Sequence, residues 1–147
     1  MSDEFLDGLL SGVGVGDEEL HDPREGDYDA ILADIRLVEN SPTAQVRHAI
    51  LITFYGMEDS QGRDFSFDDR VNVPTSESSD DVKRMFQASL HTFGIVPYDD
   101  RRPYFADTDE QRQAFVAAYK TRVGSKIPLK LYIDKNGWPR GRVQRKK

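Results

Sequence analysis

Alternation of apolar and polar positions marks three strands in the first half of the folded chain. Tyr28 to Val38 is β-prone with imperfect alternation, the pattern of a long strand that curves or bulges. Asn40-Ser-Pro42 is turn chemistry, and Val46 to Tyr55 is rich enough in β-branched and aromatic residues for a central strand. After a polar turn at Glu58 to Gly62, with Gly62 free to take positive φ, residues Phe65, Phe67, Val71 and Val73 alternate with polar partners. Short turns between the three predict an antiparallel meander.

The period changes at Pro74. Ser78 or Ser79 can cap a helix whose first turn holds Asp80 and Asp81. Val82, Met85, Phe86, Ser89, Leu90 and Phe93 follow at helical spacing, and Gly94 stops it. A charged, Pro-containing loop leads to a second helix, with Thr108 and Gln111 spaced as a capping box and Phe115, Val116 and Tyr119 as its apolar face. Gly124 closes that helix. Ile127, Leu129, Leu131 and Ile133 then alternate inward, Asp134-Lys-Asn-Gly137 is a hairpin turn, and a last strand runs from Trp138 to about Gln144. This order predicts a mainly β fold with a helical insert: a five-stranded OB-like barrel with helices between the third and fourth strands. The alternative is another small α+β sheet packed under two helices.

Composition changes the picture at both ends. The first 27 residues hold nine acidic and one basic side chain, whereas Lys120 to Lys147 holds ten basic and one acidic. Residues 1–27, rich in Gly, read as a tail that cannot bury enough surface to offset its ordering entropy. Its Phe5, Leu9 and Leu10 suit a partner-binding peptide as well as a merely solubilising segment. Residues 28–147 then form the single folded domain, ending in the basic stretch. No run approaches a membrane span, the acidic start is unlike a secretory signal, and the chain has no cysteine, so a cytoplasmic protein is expected.

The chemistry concentrates in the last hairpin. If Leu129 and Leu131 face the core, Lys126, Lys130 and Tyr132 face outward. Trp138, Arg140 and Arg142 share a parity across the turn. Aromatic faces can stack on unpaired bases while cations neutralise phosphates, so this pattern fits a single-stranded nucleic acid. Trp138 could equally cap the open end of a barrel. On the second strand either parity could be inward, which makes Arg47 and Tyr55 secondary candidates, and Phe65 and Phe67 read as core. His21, His48 and His91 lack metal-ligand spacing, and Asp80-Asp81 is explained by helix capping. No catalytic residue, metal or cofactor is assigned, and no nucleotide-binding Gly motif is present.

From Gly26 to about residue 145 the chain resembles the OB-fold single-stranded DNA-binding proteins of phage replication and recombination modules. The likeness lies in Gly26-Asp-Tyr-Asp-Ala30, in Gly62-Arg63, in Leu90-His-Thr-Phe-Gly-Ile95, and in Lys130-Leu-Tyr-Ile-Asp-Lys-Asn-Gly137 before a basic last strand. It implies non-catalytic coating of single-stranded DNA in the cytoplasm of a host cell, contacts with replication or recombination enzymes, and scope for homo-oligomers. Members commonly carry an acidic tail. Here the acidic segment is at the front and the back is basic, which leaves the tail's role open. A competing expectation, prompted by the net charge of −6, is a protein-interaction module, such as a virion component or an acidic inhibitor of a DNA-binding enzyme.

Overall fold

The long, irregularly alternating first segment forms β1, Gly26–Glu39, and the apolar run after it forms β2, His48–Glu58. The computed structural model describes residues 22–143. Phe5, Leu9, Leu10 and Gln144 to Lys147 lie outside the described residues. β3 is Asp64–Val73, β4 is Lys126–Ile133 and β5 is Pro139–Val143. Between β3 and β4 run two helices, α1 at Asp80–Thr92 and α2 at Asp109–Lys120.

All four ladders are antiparallel, and the strand order is β3-β2-β1-β4-β5. β1 is the hub. Its first half, Gly26 to Ile31, pairs with β4, and from Ile31 onward it pairs with β2. A register shift between Leu32 and Asp34 accounts for the imperfect alternation, because one extra residue bends the strand and resets which side chains face inward. β3 and β5 stand at the two ends of the order, with no ladder between them among the described residues. The fold is therefore mainly β with a five-stranded antiparallel sheet, as expected, but among the described residues the hydrogen-bonded ladder does not close into a barrel.

Register settles the faces of β2. Ile50, Ile52 and Phe54 join Ala30, Leu32, Ile35, Leu129 and Leu131 in the core, leaving Leu51, Thr53 and Tyr55 on the other side. Phe65 and Phe67 pack partly against that core rather than standing free. α1 packs on β3 and α2 on β1. Ser79 is the cap of α1, its side chain accepting from Val82 N at 3.3 Å. Thr108 and Gln111 make the reciprocal box of α2, at 3.1 and 3.2 Å. The helices bury Phe86, Leu90, Val116 and Tyr119, and each such side chain contributes roughly 1.5–3 kcal/mol by leaving water. The Tyr119 hydroxyl shares a 2.6 Å hydrogen bond with Ser89, tying α2 to α1.

The front of the described chain is anchored. Ser60 N donates to Pro23 O at 3.0 Å, and Ile133 N donates to Glu25 at 2.8 Å, so residues 23–25 bridge the β2–β3 turn and β4. Among the described residues no helix is long and apolar enough to cross a membrane.

Candidate nucleic-acid interface

Opposed residues in an antiparallel ladder put their side chains on the same face, so the register groups the candidates directly. Ile31 of β1 lies between Tyr55 of β2 and Lys126 of β4. Lys130 lies between Asp27 and Arg142, and Tyr132 is opposite Arg140. The outer face of the sheet thus unites Tyr55, Lys126, Lys130, Tyr132, Arg140 and Arg142. Trp138 sits in the β4–β5 turn at the end of the same face and is 64% exposed; Tyr55 is 48% and Tyr132 38% exposed.

Asp134 builds the turn that presents Trp138. Its carboxylate accepts from Asn136 N and Trp138 N, both at 2.9 Å, and its N–H donates to Trp138 O at 2.9 Å. Gly137 takes the positive φ of 85° that the reversal requires. Trp138 then walls an open depression of about 410 Å³ with Ser66, Phe67, Asp68, Pro139 and Arg140. This geometry leaves the indole presented to solvent rather than folded over the core.

The charges are less uniform than the sequence suggests. Arg140 Nε donates to Asp134 at 2.8 Å, and this bond, with the backbone donors of the turn, holds the Asp134 carboxyl below the usual range. Arg140 is consequently engaged in shaping the turn. Among the described residues no ion pair holds Lys126, Lys130 or Arg142. Acidic Asp27 and Asp29 border these cations on β1, and Asp68 on β3 accepts from the Thr53 hydroxyl at 2.7 Å. On this half of the sheet, positive charge thus gathers in a stripe along β4 and β5.

Arg47 does not join that stripe. It lies in the loop before β2, where its carbonyl accepts from Asn40 N at 2.8 Å. β1 separates the two regions by the stretch from Ile31 to Glu39, roughly 25 Å of extended chain. Arg47 instead lies beside Asn40, whose side chain takes a hydrogen bond from Arg70, and sequence reasoning missed both Arg70 and Arg36. Leu51 is opposite Arg36 on one side and Arg70 on the other, so both lie on the outer face. Arg36 pairs with Asp34 at 3.2 Å, and Arg70 donates to the Asn40 side chain. Their only sequence signal is parity with Leu51, which requires the register.

Among the described residues no three His, Asp or Glu side chains converge as a metal site needs. A comparison of the chain with protein-family models, curated proteins and solved structures finds no match in any of the three.

Proposed function

We propose that this protein binds single-stranded DNA non-catalytically and with little sequence preference, in phage DNA replication or recombination. Support comes chiefly from one observation: Lys126, Lys130, Arg142 and the exposed rings of Tyr132 and Trp138 share one face and one end of the sheet. The cations would follow the phosphates and the rings would stack on bases. The second cluster, Arg36, Arg47 and Arg70, gives a strand leaving the hairpin a further place to land, past Tyr55. The OB-like barrel belongs to the same proposal. It is supported by the strand order, by two helices between β3 and β4, and by the close approach of Phe67 on β3 to Gly141 on β5.

The test is Trp138 fluorescence, the signal of the chain's single tryptophan, during titration with a dT oligonucleotide at low and high salt. Anisotropy of a labelled strand is read on the same samples. Salt-sensitive quenching with a rise in anisotropy is expected; two flat signals overturn the reading. Trp138→Ala should weaken binding by about 1–3 kcal/mol through lost stacking. Arg142→Ala should lower the salt slope by about one.

The competing reading, a protein-interaction module, draws support from Asp27, Asp29, Asp34 and Asp68 on the same outer face and from the net charge of −6. Absence of DNA affinity, together with a partner retained at high salt, would favour it.

A further inference from the structure

A cleft of about 280 Å³ lies between β3 and α1, its lining including Asp69, Arg70, Val71, Phe86, Ser89 and Val143. Four antiparallel steps separate β3 from β5 in the strand order, so the two run parallel. Gly141 is beside Phe67, and Val143 reaches the cleft alongside Asp69 and Val71. A continuation of β5 beyond Val143 would run along the edge of β3 from Arg70 to Val73. Four residues at ~3.3 Å each span that edge. Among the described residues no strand pairs with it. An unpaired edge is a template for strand addition.

The cleft also asks for a cation. Asp69 is opposite Ile52, on the core side of the sheet, and its carboxylate accepts one backbone hydrogen bond, from Arg70 N at 2.9 Å. No ion pair reaches it among the described residues. Burial pushes its pKa up to about 6, against the lowering effects of that hydrogen bond and of the more distant Arg140. Residues 144–147 are Gln-Arg-Lys-Lys. Because strand side chains alternate, an extended continuation of β5 would give Arg145 the inward face of Val143 and Lys146 the outward face of Arg142.

We propose that residues 144–147 dock in this cleft as a continuation of β5, pairing in parallel with the edge of β3 and turning Arg145 toward the Asp69 carboxylate. The inference rests on the barrel part of the proposed reading and not on DNA binding. It divides the basic end of the chain into two jobs: Arg145 closes the sheet, while Lys146 extends the outer stripe of Lys130 and Arg142.

The chain has no cysteine, so Lys146→Cys gives a single nitroxide attachment point on the full-length protein. Amide broadening is read against the reduced label. The expected result is strong intrachain broadening across Arg70 to Val73 and at Ser89, reduced when Arg145→Gln or Asp69→Asn is added. Broadening seen only when labelled chains are mixed with unlabelled ¹⁵N chains would give the cleft to a second copy and overturn the proposal, as would no broadening at all. Contacts between the Gly141 α protons and the Phe67 ring report the β3–β5 approach independently. Their presence beside a silent label would leave the barrel reading standing and remove only the docking; their absence would remove the barrel reading too.

Discussion

Replacing Gly141 with alanine tests whether β3 and β5 meet. A Cβ at this position would lie 2.5 Å from Phe67 Cε2, 3.0 Å from Cζ and 3.2 Å from Cδ2. The Gly141 backbone is outside the left-handed region, so alanine itself brings no strain. Alone, the substitution should gain about 0.5–1 kcal/mol, because glycine gives up more freedom in a strand. Against this, the Phe67 ring must leave its place against the core, an overpacking cost of ~1–3 kcal/mol. The expected net effect is a loss of about 1 kcal/mol, read as a lower urea midpoint with unchanged slope. Phe67→Leu removes the two nearest ring atoms. In that background Gly141→Ala should become stabilising by about 0.5 kcal/mol. The reversal of sign is the diagnostic, since a general intolerance of bulk on β5 would cost the same in both backgrounds. Equal costs, or no cost in either, would refute the contact.

Thr108→Ala should destabilise the protein by ~1 kcal/mol in urea melts through loss of the α2 cap, with Thr108→Ser close to the parent. Tyr119→Phe removes the 2.6 Å bond to Ser89 and should cost about 1 kcal/mol, a loss that Ser89→Ala should not deepen. The Asp69 carboxyl gives a pH prediction for the Arg145→Gln variant. The unfolded carboxyl titrates near its ordinary 3.8 and the folded one at about 6, so the folded state holds more protons between those values. Stability therefore falls as pH rises through that window, by up to roughly 3 kcal/mol, and Asp69→Asn should flatten the profile. Urea midpoints from pH 3.5 to 8 decide it, and a profile unchanged by Asp69→Asn would clear the carboxyl of any role.

Much of the architecture is legible in local pattern. Alternation located all five strands to within a few residues, and Thr108 with Gln111 marked the start of α2, because such signals are carried by neighbours a few positions apart. The second strand resisted reading since both its faces are apolar; only pairing with β1 and β3 turns Ile50, Ile52 and Phe54 inward. The outer cations behaved likewise. Lys130, Tyr132 and Arg142 could be grouped through one hairpin, whereas Arg36 and Arg70 meet across Leu51, through the register of three strands. Asp134 was legible as turn chemistry, but its capture of Arg140 depends on how the hairpin closes. The opening between β3 and β5 left no local trace, for it joins parts of the chain that no turn connects.

The double role of β1 bears on the order in which the molecule assembles. Its pairing with β2 needs only a short loop, and so does that of β2 with β3, whereas Gly26 must wait for Leu131 before β4 can join. Closing the longer loop costs more entropy, so the three-stranded meander is the natural nucleus and the β4–β5 hairpin arrives late. In native-state hydrogen exchange the hairpin amides should open at lower free energy than those of β2. A ligand gripping Lys130, Tyr132 and Arg142 would then act as a clasp on the last-formed piece, slowing its exchange while leaving the centre of the meander untouched.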